Sequence, residues 1–499
     1  MIKLIFVNSG NDNEEAGNAN ISSFPPLGII SMATTAKKQF GDFCEVILID
    51  GQISSLEEIC KTIQNEKPNV VLISMYCTGI HFSLECAKTA HNSGALAVMG
   101  NDHAKAHYET LLKAVHEIDF ISLDEFGEFM VSRLLQILIQ KGDVYTLPNI
   151  AYLKKGQIVV NPNIPLDNSE FLRHPFDFIP LPDRKLLSHK NWNTYLNNFK
   201  KIKSKLYSKE GATGVTTMNR ARGCLNHRHR CAYCGIGDLN IYKSSADSFW
   251  GDILRAKKDI NANFFYECFD NFTYSTVYLK ELLNKRPSSL EDVNLCVYSS
   301  ANKISQDVCD ILRNLGVYLV NLGLDSGDEW GLKLLKGDNV SLSDNYHAVN
   351  LLTKNNFEMH ISFVLMGMGS NKDTKCSLDK TIEFIEYLVN HTSVTIIDCA
   401  LFYPDKTAPV GGLIWTPSNY RVLKDQYHLS YIDTDALEEA NKKWEGQVYI
   451  DSTEITKDFA HICGTDFELL LEYQHRIKYI CDKYGISFGY SQAGKLSDL

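Results

Sequence analysis

The chain has 499 residues, 44% hydrophobic and 22% charged, with a formal net charge of −10. That length exceeds one ordinary core and favours two or three domains, and the composition excludes disorder and low complexity. The acidic balance speaks against a nucleic-acid partner, since phosphate binding needs a basic surface.

The amino-terminal "MIKLIFVNSG" holds an apolar run too short for a signal-peptide core, and no later run approaches the roughly 18 residues of a spanning helix. A cytoplasmic protein without a membrane partner is therefore expected. There the 14 cysteines stay reduced and form no disulfide framework. Cys44, Cys60, Cys77, Cys86, Cys268, Cys296, Cys309 and Cys399 sit among aliphatic or helical neighbours and read as small core hydrophobes.

Residues 1–141 alternate short apolar runs ("KLIFVNS", "CEVILIDG", "NVVLISMY", "LAVMGND", "DFISLDE") with amphipathic stretches, the pattern of a doubly wound parallel sheet. Ligands of such sheets enter at the carboxyl ends of the strands. Those ends include Asn8-Ser9-Gly10, Ser74-Met75 and Gly100-Asn101-Asp102-His103. No G-x-G-x-x-G follows the first strand, which disfavours an ordinary dinucleotide. Residues 142–214 carry proline-containing connectors and the basic run "KKIKSKLYSKEG", and read as a linker. A second strand–helix series fills 215–410 ("GVTTMN", "FFYECFD", "LCVYSS", "YLVNLGLDS", "HISFVLMG", "VTIIDCALF"), compatible with a partial (β/α)6 barrel. Residues 411–499 are helix-rich and read as a C-terminal cap.

One segment stands apart. "NRARGCLNHRHRCAYCGIGD" places Cys224, Cys231 and Cys234 beside His227 and His229 directly after the first strand of the second series. Three chemistries remain open on spacing alone. Zinc needs four ligands, and the usual second pair twelve to twenty residues away is missing. A redox C-x-x-C would leave Cys224 without a role. Three thiolates on one loop can hold three irons of a [4Fe–4S] cube.

The wider pattern resembles the radical S-adenosylmethionine (SAM) superfamily, in the branch with an N-terminal cobalamin-binding, Rossmann-like domain. The similarity runs over roughly residues 176–410. It rests on the aromatic Tyr233 inside C-x2-C, on "FDFIPLPDR" before the barrel, on "FFYECFDNFT", on "LGLDSGDEWGLKLLKGDN" with Asp325 where glutamate is usual, and on "FVLMGMGSNKDTKCSLDKTIEFI". "PPLGIISMA" and "VMGNDHA" resemble segments of the cobalamin domain, with Asn101 in place of a second glycine. The cysteine spacing, C-x6-C-x2-C, is longer than the common C-x3-C-x2-C, and Asn302 stands where many relatives carry arginine.

The resemblance implies a [4Fe–4S] cluster on Cys224, Cys231 and Cys234, with His227 and His229 as insertion residues. It implies SAM held by Tyr233, Asp325, Ser326 and Gly367, and cobalamin at Ser74, Gly100 and His103. It implies an enzyme that abstracts hydrogen from a small-molecule substrate and transfers methyl from cobalamin in a biosynthetic pathway, fed by an electron donor such as flavodoxin or ferredoxin. The alternatives are a cobalamin-independent radical dehydratase or rearrangement enzyme and, from another class, a non-catalytic zinc- or corrinoid-binding protein.

Overall fold

The computed structural model describes residues 1–12, 23–164, 174–202, 209–224, 230–236, 240–367, 371–429 and 431–489. The chain forms two compact units. The first comprises Met1–Phe199, Thr213–Met218 and Tyr242–Ala262, the second Lys200–Ala212, Asn219–Ile241 and Asn263–Leu499. Among the described residues no helix is long and apolar enough to cross a membrane.

In the first unit, β1 (Ile2–Asn8), β2 (Cys44–Asp50), β3 (Val70–Ser74), β4 (Leu96–Gly100), β5 (Phe120–Ser122), β6 (Ile150–Lys154) and β7 (Gln157–Val160) lie in the order β2-β1-β3-β4-β5-β6-β7. The first five are parallel. Their runs are apolar because helices cover both faces. The order reverses between β1 and β3, so the crevice at the ends of these strands is the switch point where such sheets take ligands. Helix Leu56–Glu66 starts at a capping box of Ser55 and Glu58 and buries Ile59 and Ile63.

The segment read as a linker carries structure of its own. β6 and β7 form an antiparallel hairpin on the β5 edge, closed by Lys155 and Gly156 at φ 51° and 79°, the backbone a tight two-residue hairpin turn requires. Short strands bearing exposed lysines hide such an edge from a hydrophobicity reading. Helix His189–Lys201 buries Trp192, Tyr195 and Phe199. Among the eight cysteines read as core, Cys44, Cys86, Cys296, Cys309 and Cys399 are buried, whereas Cys60, Cys77 and Cys268 are partly exposed. Cys60 lies on a helix with only two fully buried positions, so its thiol reaches the surface while accepting a bond from Thr89 Oγ1 at 3.3 Å.

The first unit also includes β8 (Val215–Met218) and β10 (Tyr242–Lys243). Two buried polar contacts fix its connections. Arg184 is fully buried, its guanidinium bonded to Asp252 Oδ1 at 2.6 Å, Thr216 Oγ1 at 2.9 Å and Thr217 O at 2.9 Å. It ties "PLPDR" to β8 and to helix Ala246–Ile260. Asp50, at the end of β2, accepts from Tyr195 OH, from Asn8 Nδ2 at 2.8 Å and from Gln52 N at 3.0 Å. Burial raises its carboxyl above the ordinary 3.8, and these hydrogen bonds only partly oppose it.

The second unit opens with β9 (Ala221–Arg222) and then carries β11 (Phe264–Glu267), β12 (Asn294–Ser299), β13 (Val317–Asp325), β14 (Glu358–Leu365), β15 (Val394–Leu401) and β16 (Ser487–Gly489). β11 to β16 are all parallel, in the order β16-β15-β14-β13-β12-β11, and form a curled half-barrel sheet with helices between its strands. Helix Gln306–Leu315 shows the rule. Ser305 caps its start, Gly316 at φ 85° ends it, and Val308, Cys309, Ile311, Leu312 and Leu315 are buried. The tail holds the expected helices Thr434–Trp444, Ser452–Ile462 and Phe467–Tyr484. It then adds β16 beside β15, a three-residue strand too short to carry a periodic signal.

Removing one partner of a buried ion pair leaves the other charge uncompensated, so Asp252→Ala should cost about 3–5 kcal/mol in denaturant unfolding. For Asp50 the linkage runs the other way from an ordinary salt-bridged carboxylate. Its folded pKa lies above the unfolded one, so its stabilisation is full at low pH and is lost as pH rises through the folded value. Asp50→Asn should therefore be more stable than the parent at neutral pH and should flatten this part of the pH profile, as read from denaturation midpoints between about pH 4 and pH 8.

Candidate functional site

The described part of the cysteine segment is pinned by its backbone. Ala232 N donates to Leu335 O at 2.7 Å, and Ala232 O accepts from Val410 N at 3.0 Å and Gly411 N at 3.3 Å. Arg230 O accepts from Tyr427 OH at 2.6 Å, and Arg230 Nη2 donates to Cys234 O at 2.7 Å. Gly235 O accepts from Thr407 Oγ1 at 3.0 Å, and Gly223 N donates to Asp270 Oδ2 at 2.8 Å. Segments following β11, β13 and β15 thus hold it at the carboxyl ends of the strands. Beneath it Ala232, fully buried, joins a core with Leu335, Val410, Leu413 and the tail residues Leu437, Trp444 and Phe459. The helical cap packs directly on the cysteine segment.

Cys224, Cys231 and Cys234 are all partly exposed, and none is in a disulfide. Burial raises Cys231 to about 12, opposed by Lys336 and reinforced by Asp325, Cys234 and Cys224. The three thiols therefore lie within electrostatic reach of one another. Among the described residues, however, no three His, Cys, Asp or Glu side chains converge as one metal ion would require. Three thiolates that bind three separate irons do not converge either, because the cube stands between them. The donor set fits an iron–sulfur cluster better than closed tetrahedral zinc. His227 and His229 lie outside the described residues.

Next to the cysteines, β13 ends in Asp325 at φ 60°, beyond a register shift against β14 between Gly323 and Asp325. Such a bulge re-aims a side chain. Asp325 is buried; its Oδ2 accepts from Tyr233 OH at 2.8 Å and faces Lys336 Nζ at 2.8 Å. Lys336 Nζ also donates to Gly323 O at 2.5 Å. Burial pulls the Lys336 ammonium down, but Asp325 and the nearby Cys231 outweigh it and the net displacement is upward. Burial, then the Asp325 charge, raises the Tyr233 phenol. Tyr233 and Asp325 are thus brought together as a bonded pair. Ser326 follows, buried, with its Oγ accepting from Asp328 N at 3.1 Å. Gly367 is held by packing: a Cβ there would lie 2.2 Å from Thr374 Oγ1 and 2.5 Å from Thr465 Oγ1. Asn302 turns away to donate to Asn339 O at 2.8 Å.

Lys336 was absent from the sequence-derived site. It stands in "LKLLKGDN" on helix Glu329–Lys336, eleven residues after its partner, and a lysine in the last turn of a helix ordinarily reads as a solvated charge complementing the dipole.

In the first unit, Ser74 and Gly100 end the adjacent strands β3 and β4, and His103 lies in the short helix Asp102–Ala106 that follows, its ring 4.6 Å from that of His107. Gly100 stands open, since a Cβ there would meet only Ser122 Cβ at 3.9 Å. Asn101 adopts φ 79°, ψ 166°, a conformation that glycine favours. Its side chain is held at the strand ends: Nδ2 donates to Ser74 Oγ at 3.2 Å and Oδ1 accepts from Asp102 N at 2.7 Å. Asn101 is thus bonded to Ser74, itself one of the residues that the resemblance implies for cobalamin.

No protein-family model matches the chain. In sequence it is similar to cytidylyl-2-hydroxyethylphosphonate methyltransferase of Streptomyces wedmorensis, 21% identical over 339 residues, covering 62% of this chain and 60% of the relative. The match thus spans less than two thirds of that relative. In structure it is similar to the cobalamin-dependent S-adenosylmethionine radical enzyme OxsB solved with aqua-cobalamin and S-adenosylmethionine, with TM-score 0.65, 15% identity, and coverage of 97% of this chain and 67% of that one. It is also similar to the radical S-adenosylmethionine methyltransferase TsrM from Kitasatospora setae, solved with tryptophan and a SAM analogue, with TM-score 0.61, 13% identity and coverage of 84% and 77%. The chain has the fold of the cobalamin-dependent radical SAM enzymes.

The Asp325–Lys336 contact is testable as an energetic unit. Lys336→Met should cost about 3–5 kcal/mol by stranding a buried carboxylate. In a double-mutant cycle, Asp325→Asn with Lys336→Met should cost less than the sum of the single losses, with a coupling on the order of 0.5–3 kcal/mol. Additive losses would show that the two groups do not act together.

Proposed function

We propose that the protein is a radical SAM enzyme that abstracts hydrogen from a small molecule and methylates it with the help of cobalamin. One observation carries this reading. Three partly exposed thiols on one pinned segment stand beside the Tyr233–Asp325–Lys336 array at a strand end of a half-barrel, in a chain that also has an N-terminal parallel sheet with an open strand-end glycine.

When bound, the cluster would supply the electron that splits SAM, SAM the radical that removes hydrogen, and cobalamin the methyl group. The chain's own residues bind, orient and shield. Cys224, Cys231 and Cys234 would hold three irons as thiolates, and Lys336 would offset part of their charge. Asp325 and Ser326 accept hydrogen bonds from the ribose hydroxyls or the ammonium of SAM. Tyr233 keeps Asp325 aimed and offers its ring edge to the adenine. Gly367 leaves the backbone after β14 close to its neighbours, next to the adenosyl group. Ser74, Gly100 and His103 line the corrinoid face of the first unit. The cap packed under Ala232 covers one side of the cysteine segment. A flavodoxin- or ferredoxin-type donor in the cytoplasm would deliver the electron.

The test is anaerobic reconstitution followed by iron, sulfide, corrinoid and 5′-deoxyadenosine analysis. The parent protein should hold a [4Fe–4S] cluster, retain hydroxocobalamin through gel filtration and release 5′-deoxyadenosine with a reductant. The Cys224, Cys231 and Cys234 triple alanine variant should lose both iron and SAM cleavage. Stoichiometric zinc with no iron sinks the reading. SAM cleavage without retained corrinoid moves the reaction to a cobalamin-independent dehydration or rearrangement.

A further inference from the structure

The concave face of the half-barrel carries a belt of polar groups that the cofactor roles leave unused. Neighbouring strands place Tyr298 beside Asn321, Asn321 beside His360, and Ser362 beside Asp398. His360 Nε2 lies 2.6 Å from Asp398 Oδ2, so the imidazole proton on that nitrogen points at the carboxylate and fixes the tautomer. The hydroxyls of Tyr266 and Tyr298 are bonded to each other. Asn321 is 3% exposed; its Nδ2 donates to Cys296 Sγ at 3.1 Å and Val297 O at 3.2 Å, while its Oδ1 has no hydrogen-bond partner. β16 ends at Gly489 beside this belt, where a Cβ would fall 1.8 Å from Asp398 Oδ1.

The strands that carry this belt contribute acidic side chains. β11 to β16 contain the carboxylates Glu267, Asp325, Glu358 and Asp398 and no lysine or arginine. Lys336, which reaches the strand ends from a helix, is already held by Asp325 and Gly323. Ionised carboxylates accept hydrogen bonds and donate none. A buried amide oxygen without a partner is costly until a donor arrives. A phosphate or phosphonate beside Asp398 would meet like charge in a poorly screened interior.

Resting on the radical SAM reading above, we infer that this belt selects the substrate. It takes a small molecule rich in hydrogen-bond donors, a polyhydroxylated or aminated ring, with Asp398 and Asn321 Oδ1 as the accepting groups, and it rejects phosphorylated or phosphonylated compounds. His360 acts as a positioning residue that holds Asp398, and the two phenols close the opposite side of the belt.

The experiment uses the cluster-loaded protein with SAM and no reductant, so that binding is read without turnover. Calorimetric titration compares 2-deoxystreptamine and glucosamine with cytidine 5′-monophosphate and 2-hydroxyethylphosphonate. At least one aminated probe should bind at least tenfold more tightly than either anion. Asp398→Asn and Asn321→Leu should each weaken that binding by about tenfold or more, the energy of one buried hydrogen bond to a charged or unpartnered group, with bound iron and the visible spectrum showing that the variants assemble. Equal or tighter binding of an anion, no binding of either aminated probe, or unchanged binding in both variants overturns the inference. A separate assay for 5′-deoxyadenosine tells the two failures apart: its presence with the wrong ligand preference removes only the substrate assignment, and its absence removes the functional reading itself.

Discussion

The organisation of the second unit depends on a buried contact between opposite charges at the end of one strand. Asp325 terminates β13 in a left-handed conformation, past a register shift that turns its carboxylate toward Tyr233 and Lys336. Neither charge is tolerable there alone, since taking an ion out of water costs several kcal/mol. Together they fix the helix that carries Lys336 against the strand that carries Asp325. The same helix presents Leu335 O to Ala232 N, so the geometry of the ion pair passes to the cysteine segment through one hydrogen bond. The array orders the ground around the thiols before any cofactor is present.

The cap completes this arrangement from the other side. Val410 and Gly411 clasp Ala232 O, and the tail helices bury Leu437, Trp444 and Phe459 in the core that Ala232 shares. A segment rich in charge and glycine has little apolar surface of its own to bury. It acquires a defined course because one small residue, Ala232, is surrounded by a large apolar cluster built from distant parts of the chain. On the function proposed above, preorganisation of this kind would favour cluster assembly, because the ligands would give up less conformational freedom.

Both units bury charged and polar groups, and both leave some acceptors without a partner. The first unit encloses Arg184 with three partners and Asp50 with three donors, while Asp252 Oδ2, beside Arg184, has no hydrogen-bond partner. The second leaves acceptors over: Asn321 Oδ1 has no partner, and Asp398 keeps its side chain 21% exposed. Saturated networks rigidify a fold, whereas spare acceptors are affinity held in reserve for a ligand.

What the sequence by itself determined is what periodicity and local chemistry encode. The alternation of apolar runs and amphipathic stretches made both parallel sheets legible, because strand burial and helix faces leave periods that survive without neighbours. The crowding of Cys224, Cys231 and Cys234 into one loop was equally local, and so was the placement of Ser74, Gly100 and Asp325 at strand ends. The tertiary structure alone decided who meets whom. Lys336 reads as a solvated helix-end charge until β13 is set beside it. Asn101 reads only as a replacement for glycine until its side chain is seen bonded to Ser74. The β6–β7 hairpin and β16 are too short, and too polar at the edges, to announce themselves before a sheet edge offers them partners. Burial is a property of the assembled core, so the chain's letters named the candidate groups while only packing from distant segments set their charge and aim.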